Sequence, residues 1–216
     1  MWDRYRVTWQ FTNLLCGSVP QAKELVRPWL EARKPAKKPA EGPSLDEMEQ
    51  EVMETIDDSE TVERITLGFQ RDELGLFVRG GTIKAHLKDC ANQVKEAVRK
   101  AHYKDKDRIG LKAMVANKVY VEEYKVYLKR NGEYVKKEDG EREQAVHVMT
   151  AQGQRNALKI IRYVERPTLE FTLLVLADGT LPEEVLKTIF EYGSVHGYGG
   201  ERGLGEGRYT WVMERI

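Results

Sequence analysis

Cysteine is scarce in this 216-residue chain: Cys16 and Cys90 are the only two, far apart and without the cluster of Cys and His that a ligand set needs. That excludes a disulfide framework and a zinc site, and both thiols are expected in the interior. Net charge is missing as well, since 35 Lys and Arg balance 35 Asp and Glu. The simplest sign of nucleic-acid binding, a basic excess over the whole chain, is therefore absent, and the distribution of charge has to carry that question. No run approaches the roughly eighteen consecutive apolar residues of a membrane span. Met1 to Gln10 mixes polar and aromatic residues, unlike a signal peptide, so the expectation is a cytoplasmic protein with no membrane partner. No internal repeat is found. What is present is 41% hydrophobic residues, enough to bury a core, and we expect a single domain over 1–216 carrying insertions.

The charges are segregated. Ser44 to Glu63 contains Asp46, Glu47, Glu49, Glu51, Glu54, Asp57, Asp58, Glu60 and Glu63 and no base, whereas Ile83 to Lys112 has an excess of Lys and Arg. Arg33 to Pro43 alternates lysines with prolines, which forbid regular structure and read as an exposed linker. Ser44 is a good cap for the next segment, in which Leu45, Met48, Val52 and Ile56 draw a thin apolar stripe at helical spacing. Together these make an insertion at about 33–64, a linker plus an acidic helix. A solvated face is the ordinary reading of such a helix; a nucleic-acid mimic or a docking surface are the others.

Before the insertion, Tyr5, Val7, Trp9 and Phe11 alternate with polar residues, the signature of a half-buried strand, and Leu25 to Ala32 suggests a short helix. After it, Ile65, Leu67 and Phe69 alternate again, and Leu74 to Val78 ends at Gly80-Gly81, where a helix is expected to begin. From Thr82 to Ala101, residues Ile83, Leu87, Cys90, Val94, Ala97, Val98 and Ala101 recur at steps of three and four, one apolar face of a long helix. Lys84, Lys88, Lys95 and Arg99 recur beside that face as a basic stripe, which is either plain solvation or a track for phosphates. Val115, Val119 and Val121 then suggest strand. Asn131-Gly132 and Asp139-Gly140 are turn signals, Val146 to Met149 and Leu158 to Val164 read as strands, and 120–150 reads as a β-hairpin arm.

Thr168 to Leu176 is almost wholly β-forming and suits a central strand. Thr180 and Glu183 are spaced as a capping box around Pro182, and Val185, Leu186, Ile189 and Phe190 give the next helix its buried face, with a stop expected at Gly193. The stretch Gly197 to Tyr209 then holds six glycines in thirteen residues before Tyr209, Trp211 and Met213 alternate as a last strand. So many glycines require positive φ angles or a close approach by something else. One candidate is a phosphate held by loop amides and by Arg202 and Arg208; a flexible link is the alternative. The loop runs from helix to strand and lacks Gly-Lys-Ser/Thr, so it is neither a Walker loop nor a dinucleotide fingerprint.

Over Pro167 to Ile216, the strand, the helix Pro-Glu-Glu-Val-Leu-Lys-Thr-Ile-Phe-Glu-Tyr-Gly, and the loop Arg-Gly-Leu-Gly-Glu-Gly-Arg-Tyr resemble the RAMP superfamily of CRISPR-associated RNA-binding proteins and their phage-borne relatives. The resemblance implies an α+β, ferredoxin-like (RRM-like) β-α-β-β-α-β fold and loop contacts to RNA from Gly197, Gly199, Gly200, Arg202, Gly203, Gly205, Gly207 and Arg208. Charge alone adds Arg162 and Arg166 as further phosphate contacts. The partner expected is single-stranded RNA or DNA, tracked by the loop and the lysine stripe, with Tyr198 or a sheet aromatic stacking on bases and self-association along the strand. No cofactor or metal is expected. RNA-processing members of the superfamily use a general-base histidine. Of the four histidines here (His86, His102, His147 and His196), His86 and His196 are the weak catalytic candidates, for a metal-independent endoribonuclease. A third reading is a phage-type structural or protein-interaction module on the same scaffold.

Overall fold

The computed structural model describes residues 1–21, 45–54, 64–103, 110–150 and 153–216. The helix expected over Leu25–Ala32, the Lys-Pro segment 33–43 and Ile56 lie outside these residues. In chain order the elements are β1 (Trp2–Phe11), β2 (Leu14–Cys16), β3 (Val19–Pro20), α1 (Leu45–Glu54), β4 (Arg64–Gly68), β5 (Gln70–Arg71), β6 (Leu76–Arg79), α2 (Gly80–His102), α3 (Leu111–Lys118), β7 (Val119–Val121), β8 (Lys125–Arg130), β9 (Glu133–Tyr134), β10 (Gly140–Thr150), β11 (Gly153–Glu165), β12 (Thr168–Leu176), α4 (Glu183–His196) and β13 (Tyr209–Arg215). They fall into two compact units, one of Met1–Leu15, Phe77–Val135 and Glu165–Ile216, the other of Cys16–Leu76 and Lys136–Val164. No helix among the described residues is long and apolar enough to cross a membrane.

The first unit is built on β1. Its odd positions Tyr5, Val7, Trp9 and Phe11 are buried while Arg4, Arg6 and Gln10 on the opposite face are exposed, as period two demands. β12 pairs antiparallel with β1 on one side and β13 pairs antiparallel on the other; β12 in turn pairs with β7 and β8. The order β13-β1-β12-β7, with α2 and α4 packed together, is the ferredoxin-like β-α-β-β-α-β plan of an α+β fold. Trp9 sits at its centre, fully buried and in ring contact with Phe171, Phe190, Tyr198 and Tyr209. Truncating it to Ala would cost about 3–5 kcal/mol.

α2 begins at Gly80 as expected and buries Ile83, Leu87, Cys90 and Val98, with His86 and Ala91 completing the face; Ala97 and Ala101 are exposed. Val115 lies in helix α3 and not in a strand: Leu-Lys-Ala-Met is a run of strong helix formers, and Leu111 and Val115 bury one turn apart. The span 120–150 splits. β7, β8 and β9 join the sheet of the first unit, with Val126 and Leu128 buried in it and the Asn131-Gly132 turn in place between β8 and β9, while β10 belongs to the second unit. In β8 the half-buried Lys125, Tyr127 and Lys129 alternate with the buried Val126 and Leu128, as in a strand lying on a core.

Two expectations around α4 are corrected. Thr180 does not cap the helix: its amide and hydroxyl both donate to Asp178 Oδ1, at 3.0 and 2.6 Å, and Pro182 is the N-cap without a side-chain bond. Gly193 does not end the helix, which continues to His196. It is there because a Cβ would stand 2.6 Å from the Tyr209 hydroxyl and 3.0 Å from His86 Nε2.

In the second unit, β10 and β11 form a long antiparallel hairpin, β4 runs parallel to β11, and β3 pairs antiparallel with β4. α1 carries Asp46 and Glu47 in its first turn, where the helix dipole favours acids, and buries Val52. Arg71 Nη2 donates to both carboxylate oxygens of Glu138, at 3.2 and 3.1 Å.

Candidate nucleic-acid interface

The glycine-rich loop leaves α4 at Gly197 (φ 82°), and its base closes on itself. The Tyr198 amide donates to Gly207 O at 2.9 Å and the Gly207 amide to Leu14 O at 2.8 Å. A Cβ on Gly207 (φ 75°) would lie 1.9 Å from Tyr198 O, and one on Gly197 would lie 2.4 Å from Glu206 O. Tyr198 itself is 6% exposed. Its hydroxyl is 2.5 Å from Thr82 Oγ1; Thr82 donates its own proton to Arg79 O at 2.7 Å, so Tyr198 is the donor of the pair. Burial raises the Tyr198 pKa well above the phenol range. The stacking role expected of Tyr198 is corrected on this ground: its ring packs against Trp9 and Phe11 and offers no free face.

The tip behaves differently. Arg202–Leu204 make one exposed 3-10 turn between two left-handed residues, Glu201 (φ 56°) and Gly205 (φ 83°). Arg202 Nη1 donates to His196 Nε2 at 2.9 Å, and both nitrogens lie 3.5 Å from Asp89 Oδ2 on α2. At the loop's exit, Asn13 works as a staple. Its Nδ2 donates to Gly205 O at 2.8 Å, its Oδ1 accepts from the Arg208 amide at 3.0 Å, and its backbone oxygen accepts from the Arg166 amide at 3.1 Å. The exposed side chains of Arg166 and Arg208 therefore project from backbone tied to one residue, with Arg202 on the same loop. Gly199 and Gly200 are half-buried between base and tip, and Gly203 has open space around it.

Along α2, Lys84 and Lys88 are half-buried, Lys95 is exposed, and Arg99 is paired with Glu96 at 3.1 Å. Lys84 Nζ sits 3.4 Å from the centroid of the Tyr120 ring, and Tyr120 meets Trp2 edge to face at 5.6 Å. Burial, followed by the charge of Lys88, pushes the Lys84 ammonium down to about 8. Arg162 belongs to the second unit, with its Nε 3.9 Å from Glu141 Oε2.

The two candidate histidines are neighbours with different fates. Their rings lie parallel at 6.3 Å, but His86 is 5% exposed and its Nε2 is 3.0 Å from the Tyr209 hydroxyl. Burial first, then Arg202 and His196, lower its pKa to about 3. His86 is thus a neutral core residue that no substrate reaches, and the catalytic expectation for it is corrected. His196 is half-buried, stacked on Tyr192 at 5.3 Å. His102 is exposed at the end of α2, and the side chain of His147 lies outside those described. Cys90 sits beside His86 with its thiol pushed up to about 12 by burial and by Asp89, so it is inert. Among the described residues no group of His, Cys, Asp and Glu has the geometry to hold a metal.

Sequence reasoning missed Asn13, Thr82 and Asp89. Asn13 gives no local signal because its partners lie 192 and 195 residues away. Asp89 had one, as the lone acid between Ile83 and Lys95 on the basic helix.

No family model matches this chain, and no curated protein does. Among solved structures it is similar to a chain of the type III-B Cmr-beta complex bound to cognate target RNA, at TM-score 0.41 and 10% identity, covering 100% of this chain and 61% of that one. It is also similar to a chain of a type IV-B CRISPR complex, at TM-score 0.41 and 10% identity, covering 97% of this chain and 90% of that one. The chain thus spans 61% of the length of the first of these. Likeness at this level carries no argument about function, which rests on the residues.

Proposed function

We propose that this protein binds single-stranded nucleic acid without cleaving it, as a RAMP-like module that takes phosphates at the tip and exit of the glycine-rich loop and along α2. The observation that carries this reading is the staple at Asn13, which holds the exposed Arg166 and Arg208 on tied backbone beside a loop whose tip presents Arg202. Fixed backbone makes the guanidinium groups pre-organised, so less entropy is lost when a phosphate arrives. The contact of Arg202 with Asp89 is exposed and worth about 0–1 kcal/mol, too little to withhold the arginine from a phosphate. Stacking, denied to Tyr198, falls to the exposed pair Trp2 and Tyr120, which Lys84 supplies with a cation.

The test is affinity for short fluorescent RNA and DNA at several salt concentrations. A binder of single strands loses affinity steeply, with a log-log slope of about −0.7 per phosphate neutralised. Absence of salt-dependent binding to either polymer overturns the reading.

A second reading rests on one contact, that of His196 with Arg202 at 2.9 Å, the pair that an endoribonuclease would use as base and as charge stabiliser. Labelled RNA cleaved in EDTA by the wild type and left intact by His196→Ala would establish it; intact RNA at high protein concentration removes it.

A further inference from the structure

The outer edge of β13 has no strand beside it among the described residues. Natural edges are blunted by prolines, bulges or central charges. β13 has none of these: it pairs with β1 in unbroken register from Tyr209 to Arg215, and its centre is Thr210-Trp211-Val212-Met213.

Which backbone groups face outward is set by two hydrogen bonds. The Thr12 amide donates to Arg208 O at 2.9 Å and the Ile216 amide donates to Arg4 O at 3.0 Å. In an antiparallel strand both polar groups of a residue point to one side and alternate along the chain. The even residues Arg208 to Ile216 therefore face β1, and Tyr209, Trp211, Met213 and Arg215 present their amides and carbonyls outward.

We propose that this edge pairs with the same edge of a second copy, antiparallel about a two-fold axis at Val212. In that register each residue meets the partner residue whose number makes 424 with its own, so outward residues meet outward residues: Trp211 meets Met213, Tyr209 meets Arg215, and each pair exchanges two hydrogen bonds. The side chains agree. Val212, 56% exposed, meets its own copy, and Thr210, whose hydroxyl donates weakly to Gln10 O at 3.4 Å within the chain, meets Glu214 as a neutral polar neighbour of the carboxylate, both on the face away from the helices. No like charges meet anywhere along the strand. The self-complementarity selects a copy of this chain over an unrelated strand, and the two-fold closes the assembly as a dimer, in contrast to the open array expected along a polymer.

Within one chain, Thr210 faces Gln10 and Glu214 faces Arg6, so position 210 senses Glu214 only across the dimer. Sedimentation of the nucleic-acid-free protein over a range of concentrations should show a monomer–dimer equilibrium. Thr210→Lys, which sets Lys against the partner's carboxylate, should tighten it about fivefold; Thr210→Glu should loosen it about fivefold, and Val212→Lys, with two ammonium groups on the axis, by about tenfold or more. Circular dichroism checks that each variant keeps its fold. A protein that stays monomeric throughout, or a dimer that Thr210→Lys and Thr210→Glu shift in the same direction or not at all, overturns the proposal.

Discussion

At the base of the glycine-rich loop, backbone atoms stand 2.4 and 1.9 Å from where Cβ atoms of Gly197 and Gly207 would be, whereas nothing lies within 4 Å of one on Gly203 at the tip. Glycines spaced alike in the sequence thus serve different ends. Those at the base are demanded by contact and by positive φ, and they fix where the loop starts and finishes; the one at the tip only leaves the arginines room. The same division separates Tyr198 from Arg202 and His86 from His196, one of each pair in the core and the other toward solvent. On the proposed reading, rigidity and reception of a ligand fall to different residues of this loop and its surroundings.

Substitution breaks that comparison most forcefully at its base. Gly207→Ala should destabilise the fold by about 4 kcal/mol in urea denaturation, since neither the backbone at Tyr198 nor a φ of 75° can accommodate a methyl group. Gly203→Ala should stay within about 0.5 kcal/mol.

The buried histidine gives the next largest effect. Because the folded pKa of His86 is lowered to about 3 from 6.5, the unfolded chain takes up a proton that the native state refuses. Its contribution is full above pH 6.5 and is lost as pH falls toward 3, by a few kcal/mol in all. His86→Gln should flatten this acid limb of stability against pH, whatever it does to the plateau. An unchanged slope would mean that His86 takes a proton in the folded state.

At the tip the expected loss is of binding. Arg202→Glu combined with Arg208→Glu should weaken affinity for single strands at least about tenfold and lower the salt slope by about 1.4, with stability changed by less than about 1 kcal/mol. A slope equal to the wild type's would remove these arginines from the interface.

The smallest effect belongs to Lys84. With its folded pKa at about 8 against 10.5, the unfolded chain holds more protons between these values, so stability rises with pH across that window. Lys84→Met, which keeps the apolar stem, should abolish the rise and add a few tenths of a kcal/mol below pH 8 after solvent screening. It should also flatten the decline of nucleic-acid affinity above pH 8.

Much of the architecture was legible. β1 alternates with period two, α2 repeats every three to four residues from Gly80, and β12 is rich in β-formers and ends in an apolar run, so each announces itself within its own span. Errors arose where a residue's role depended on a distant partner. Gly193 read as a helix stop because nothing nearby in sequence shows that Tyr209 and His86 need its missing side chain. Tyr198 read as a stacking residue because loops with glycine and tyrosine are usually outside. Thr180 and Glu183 had capping spacing, but Asp178 sits closer to Thr180 and takes its amide and hydroxyl first, while Lys118 Nζ donates to the Thr180 hydroxyl oxygen at 2.7 Å.

By itself the sequence determined the periods of the longer elements: that β1 and β12 are strands, that α2 and α4 are helices, and where the loop between the last two elements must lie. Those depend on φ, ψ preferences and on which side chains can share a face over ten or so residues, and the information is local. Only the tertiary structure decided that His86 is in the core and His196 at the surface, and that Asn13 ties Gly205, Arg208 and Arg166 together. The bond from His86 to Tyr209 spans 123 residues, and burial is set by what the rest of the chain brings against a side chain, which no local pattern contains.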